Sequence, residues 1–177
     1  LLAPLATVNA IDGSLIAKGP GKVLNYIRDD GTGESKLSGF SQSFQPRKKQ
    51  PDAPAVDRPP GFDAIHVNFD GELNANADRK EMQIAGNVRA AYARVESHET
   101  VVEPDDVATH PVGTVVLKCD QLQSAQWTPV GQESINEMVA TGNTHITSQL
   151  FEATAQRLTY NDKTDMMIVS GSSRGNA

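Results

Sequence analysis

Apolar side chains in this 177-residue chain recur at every second position, and no stretch sustains a helical period. That constrains the fold more than any other feature, because only extended strands put alternate residues on one face. Ile65, Val67 and Phe69 alternate with His66, Asn68 and Asp70; Phe151, Ala153 and Ala155 alternate with Glu152, Thr154 and Gln156; Val88, Ala90 and Tyr92 share one phase. Val23, Asn25 and Ile27 stand against Leu24 and Tyr26, so that strand carries apolar groups on both faces. Between the runs stand Asp12-Gly13, Gly19-Pro20-Gly21, Asp70-Gly71 and Asn161-Asp162-Lys163. These residues supply positive φ, a fixed φ or a local side-chain hydrogen bond, and so mark turns. The expectation is an all-β chain.

The strands also repeat. Ile84-Ala85-Gly86-Asn87-Val88-Arg89-Ala90 matches Val139-Ala140-Thr141-Gly142-Asn143-Thr144-His145-Ile146, and Val169-Ser170-Gly171 begins a third copy. Ile16-Ala17-Lys18-Gly19 with Lys22-Val23 is a weaker fourth. A strand precedes each clear copy: Ile65 to Phe69 before Gly86, Val115 to Leu122 before Gly142, and the hairpin Phe151 to Gly171 before the third glycine. The unit is strand, turn, strand, glycine, strand. A residue without Cβ relieves a sharp bend, so the glycines are expected at corners where strands pass from one sheet to the next. The hairpin 151–171 then lies at the C-terminal end of the stack, and its edge is where a further domain or subunit adds.

The length suits one domain, residues 1–177, with residues 28–61 as a flexible insertion. That insertion holds five prolines and four glycines and little to bury apart from Leu37, Phe40 and Phe44, which suit a short docked strand or turn. Residues 97–113 read as a loop with room for one helical turn. Leu1 is not Met, and Leu1 to Ala6 contains no basic residue, so the chain is expected to be cut from a longer one.

Several functions are argued against. A net charge of −6 is a poor match for a polyphosphate, and Arg47-Lys48-Lys49 lies in the proline-rich insertion, so nucleic acid is not expected as a partner. No run of about 18 apolar residues offers a membrane span. His66, His98, His110 and His145 are scattered without metal-ligand spacing, and Glu103, Asp105 and Asp106 lack a calcium-loop pattern. Ser134, Ser148 and Ser170 lack a nucleophile elbow, Gly19-Pro20-Gly21-Lys22 lacks phosphate-loop spacing, and Cys119 sits alone in the apolar run Val115 to Cys119. The expectation is a protein that is not an enzyme, with no catalytic residue, metal or cofactor.

Ala85-Gly86-Asn87-Val88, Ala140-Thr141-Gly142-Asn143-Thr144, and Phe151 to Tyr160 followed by Met167-Ile168-Val169-Ser170-Gly171 resemble the OstA-like (LptA-like) family of lipopolysaccharide-transport proteins. The resemblance covers roughly 62–177 well and 7–27 weakly. It implies an open β-jellyroll of two facing, mainly antiparallel sheets, and a periplasmic or outer-membrane-associated place in the cell envelope. It also implies binding of the acyl part of a lipopolysaccharide-like amphipathic lipid, and partnership with other jellyroll domains by strand-edge addition. The groove candidates are Ile65, Val67, Phe69, Met82, Ile84, Leu117, Phe151, Leu158, Tyr160, Met166 and Ile168. The same side chains equally suit a closed core, which leaves a structural β-scaffold without a lipid ligand as the alternative.

Overall fold

A computed structural model describes residues 1–29, 61–131, 134–149, 151–161, 163–164 and 166–171. Among these the chain is an all-β open jellyroll: one antiparallel system of ten strands, not closed into a barrel. The strands are β1 (Leu5–Asn9), β2 (Ser14–Lys18), β3 (Gly21–Asp29), β4 (Gly61–Phe69), β5 (Glu72–Asn76), β6 (Glu81–Val95), β7 (Val115–Trp127), β8 (Ile135–Ser148), β9 (Glu152–Asn161) and β10 (Met166–Ser170). Arg28, Asp29 and Gly61, expected in the insertion, end β3 and begin β4. The rest of the insertion, with Leu37, Phe40 and Phe44, lies outside the described residues.

Long strands bent in the middle generate the shape. The last half of β6 pairs with β4 and its first half with β5. β2 pairs with β5 while β3, next in the chain, pairs with β4. Each breakpoint therefore falls at one level across the system: Gly19-Pro20, Asp70-Gly71, Gly86-Asn87, Asp120 and Gly142-Asn143 stand side by side. On one side of that line β1, β2, β5 and the flanking parts of β6 to β10 form a first sheet. On the other side β3 and β4 with the remaining parts of β6 to β9 form a second. The expected two strands meeting at Gly86 are instead one continuous 15-residue strand carrying a bulge.

The bulge has a repeated construction. Gly86 and Asn87 have φ of 85° and 45°, and Gly142 and Asn143 have 72° and 41°. Two successive left-handed residues turn the chain out of the pleat, and Gly then Asn is the pair that adopts them at least cost. In each case the asparagine amide donates to an aspartate at the neighbouring corner, Asp70 in the β4–β5 turn or Asp120 on β7. Asn87 Nδ2 reaches Asp70 Oδ2 at 2.6 Å, and Asn143 Nδ2 reaches Asp120 Oδ2 at 3.1 Å. By register Gly171 follows the Ser170↔Arg157 pair and so stands at the corner level beside Gln156.

The outer face of the second sheet is covered by loop 96–114, which contains one 3-10 turn, Val107–Thr109. Val102 packs there into a small cluster with Ala64, Ala91, Ala93, Val95 and Val116. Lys22 Nζ donates to Glu103 Oε1 at 2.6 Å, Tyr26 Oη donates to the Thr100 carbonyl at 3.1 Å, and Arg89 Nε meets Asp105 at 3.0 Å. Beneath the loop most of β4 and the second half of β6 are covered on both faces, and Leu24 and Tyr26 of β3 are half-buried, as its doubly apolar phase anticipates.

Candidate functional site: the slot between the sheets

Pairing register aligns the inward side chains in rows parallel to the corner. Next to it lie Ala17, Leu73, Ile84, Leu122, Ala140 and Leu158 from the first sheet, with Phe69 and Val88 from the second, all buried. One row further out in the first sheet Leu15, Ala75, Met82, Met138 and Met167 are only half-buried, as are Ile65, Ala90 and Ala153 in the second. Along the first sheet burial falls away from the corner, Tyr160 excepted, whereas Val67, Leu117, Ile146, Tyr92 and Val115 of the second stay buried further out, so the wedge has a dry core at its apex and a slot that opens along the first sheet. Both sheets contribute to one apolar cluster.

An apolar cavity of about 150 Å³ lies between the sheets. Ile65, Val67, Ala90, Tyr92, Val115 and Leu117 line it from the second sheet, and Met82, Leu122, Met138 and Tyr160 from the first. At its outer end Tyr92 Oη donates to the buried Asp63 Oδ1 at 2.8 Å, and Asp63 faces Arg94 across the β4/β6 ladder. The slot therefore has a mainly apolar interior, with Ser124, Asn136 and Glu137 of the first sheet in its lining and the Tyr92–Asp63 pair buried at the outer end of the second.

Of the groove candidates, Ile65, Val67, Phe69, Met82, Ile84, Leu117, Leu158 and Tyr160 are brought together on the inward face. Phe151 packs against the same cluster from just before β9, half-buried. Met166 and Ile168 do not belong there. Each is 55% exposed and points to the opposite face, while Met167 pairs with inward Tyr160 and Val169 with inward Leu158. The cause is the hairpin loop. Asn161 pairs with Met166, so odd positions of β9 face even positions of β10 and the inward phase of β10 moves by one residue. Counting that loop was the available signal. Ala90, Tyr92, Val115, Leu122 and Met138 were missed as lining residues although each continues the inward phase of its strand or pairs with a residue that does.

Polar chemistry collects elsewhere. On the outer face of β4, His66 is 2% exposed beneath the loop; Nδ1–H donates to the Val102 carbonyl at 3.0 Å, and Nε2 stands 3.8 Å from Glu103 Oε2. Burial holds its pKa below the usual imidazole value; Glu103 pulls upward and Lys22 pushes down. Burial pushes the Cys119 thiol up to about 12, which leaves it an unreactive packing group at the corner. Among the described residues no group of three or more His, Cys, Asp or Glu converges in a way that suits a metal ion, and no helix is long and apolar enough to cross a membrane. No family model, curated protein or solved structure matches the chain.

Proposed function

We propose that the wedge is a binding slot for the acyl part of an amphipathic envelope lipid of the lipopolysaccharide type, which the domain carries without chemistry. The observation behind this reading is the apolar cavity between the sheets, walled by buried Val67, Tyr92, Leu117 and Leu122 and reached past half-buried Met82, Met138, Ile65 and Ala90. A sealed core closes such space with interdigitated side chains. An apolar cavity of about 150 Å³ stays dry and takes a guest about the size of benzene, so it holds the end of an acyl chain. The remainder lies along the half-buried side chains of Leu15, Ala75 and Met167 in the same row of the first sheet. The family resemblance of the Gly-Asn corners and the 151–171 hairpin supports the same reading and suggests a periplasmic setting.

The test is to purify the protein from a host that makes lipopolysaccharide, with a photoreactive phenylalanine analogue replacing Met138 in one sample and Ile168 in another. Crosslinking to acylated lipid at 138 and not at 168 is the expected result. A protein that neither co-purifies with nor crosslinks to such lipid at 138 rules out the slot.

The scaffold reading keeps one observation of its own. Val8 on β1 is 71% exposed, and on β10 Ile168 and Val169 are 55% and 46% exposed. Among the described residues both terminal strands of the first sheet are unpaired on their outer side and carry exposed apolar side chains, a combination that suits addition of another jellyroll domain. Edge addition and lipid carriage use different surfaces and are compatible.

A further inference from the structure

Three of the four methionines stand in one cross-strand row of the first sheet: Met82 and Met138 flank Ser124 on adjacent strands, and Met167 follows beyond Tyr160. All three are half-buried, and Met82 and Met138 line the cavity. The fourth, Met166, is the next residue along β10 yet faces outward. Half-buried thioethers remain within reach of small oxidants, and oxygen transfer turns a flexible apolar side chain into a strong hydrogen-bond acceptor.

We infer that Met82, Met138 and Met167 form an oxidative modification site that closes the slot to apolar guests. The inference rests on the slot reading above. A hydroperoxide is the co-reactant. The sulfur lone pair attacks the hydroxyl oxygen of the hydroperoxide, the O–O bond breaks, the proton of that hydroxyl passes to the departing oxygen, and one oxygen stays on sulfur while the rest leaves as water or alcohol. Sulfur is oxidised by two electrons and the peroxide reduced by two. The same row carries two hydroxyls, Ser124 between Met82 and Met138 and Tyr160 between Met138 and Met167. Two hydroxyls are few donors for three sulfoxide oxygens, so oxidation places unmatched polar groups on an apolar lining.

The experiment measures binding of the apolar fluorophore N-phenyl-1-naphthylamine to the whole chain before and after hydrogen peroxide, with sulfoxide sites mapped by peptide mass spectrometry. Oxidation of the three row methionines should weaken binding by about tenfold or more, the scale set by placing an unmatched polar group in an apolar site. Methionine sulfoxide reductase should restore it. The triple variant Met82→Leu, Met138→Leu, Met167→Leu keeps shape and should bind the probe regardless of peroxide, whereas Met166→Leu should stay as sensitive as the parent. Unchanged binding after mapped oxidation of all three, or a triple variant as sensitive as the parent, overturns the inference and leaves the slot standing. An untreated parent that takes up no probe overturns the slot reading and this inference with it.

Discussion

Replacing single glycines by alanine separates backbone conformation from backbone contact at the corners. At Gly86 a Cβ would meet the Gly71 nitrogen at 2.6 Å and its Cα at 2.7 Å, with φ at 85°. At Gly113 φ is also 85° but nothing lies within 4 Å, and at Gly171 the space is open with φ outside the left-handed range. The left-handed conformation costs an L-residue about 1–2 kcal/mol. Forcing a methyl group against fixed backbone adds about 1–3 kcal/mol. Gly86→Ala should therefore cost about 2–5 kcal/mol, Gly113→Ala about 1–2 kcal/mol, and Gly171→Ala almost nothing. For a chain of this length each kcal/mol lowers Tm by about 2–4 °C, so thermal melts followed by circular dichroism resolve the series. The expected order of loss is Gly86, then Gly113, then Gly171. Gly86→Ala melting together with Gly113→Ala would refute the close approach of β6 to the β4–β5 turn, and with it the stacked corner.

Further outcomes follow from the slot, the loop and the edges. Ala90→Leu fills space in the cavity and should leave the fold intact while abolishing uptake of an apolar fluorophore; undiminished uptake would mean that the probe binds elsewhere. Leu117→Ala should cost about 2–5 kcal/mol in urea unfolding, the range for truncating a buried leucine. His66 has its pKa lowered in the folded state, so opening of loop 96–114 takes up a proton; stability held above pH 6.5 is lost as pH falls below it. Hydrogen exchange corrected for intrinsic rates should show amides of 100–110 opening more often at pH 5.5 than at 7.5, and His66→Gln should flatten that difference. Ile168→Lys should leave Tm unchanged and weaken concentration-dependent association in sedimentation velocity; an unaltered sedimentation profile in a self-associating parent would remove β10 from the contact.

Alternation and the Gly-Asn phrase made the strands, the corners and most inward residues legible, because both are local: period two sets the face, and a left-handed pair sets the bend. What escaped depends on partners distant in sequence. Asp70 and Asp120 read as ordinary turn or strand polar residues, since only lateral pairing puts them beside Asn87 and Asn143. His66, Ala91 and Ala93 occupy what looks like the solvent phase and are buried because loop 96–114 folds back over them. The small apolar residues Ala64, Ala91 and Ala93 in that second phase were the trace of a covered face. Met166 and Ile168 were misplaced for a simpler reason: an alternating strand offers two phases, and the preceding loop decides which one faces inward.

The stacked corners also explain how one fold can hold a firm core and an open slot together. Strands bent at a common level form two sheets hinged along a line, and the gap between such sheets must widen away from that line. In the first sheet Ile84, Ala140 and Leu158, close to the hinge, are fully buried, whereas Leu15, Met82 and Met138 a row further out are not; on the second sheet Val67, Leu117 and Tyr92 stay buried, so the slot opens along the first. Truncation at the apex should therefore register mainly in stability and substitution at the mouth mainly in binding. A closed sandwich makes no such division, because its two inner faces run at nearly constant separation and every inward residue belongs to one core. Comparing Leu158→Ala with Met138→Ala distinguishes the two geometries. In a wedge, Leu158→Ala lowers Tm and spares fluorophore binding per folded molecule, while Met138→Ala does the reverse; equal losses of stability at both positions would mean that the sheets are packed together along their whole length.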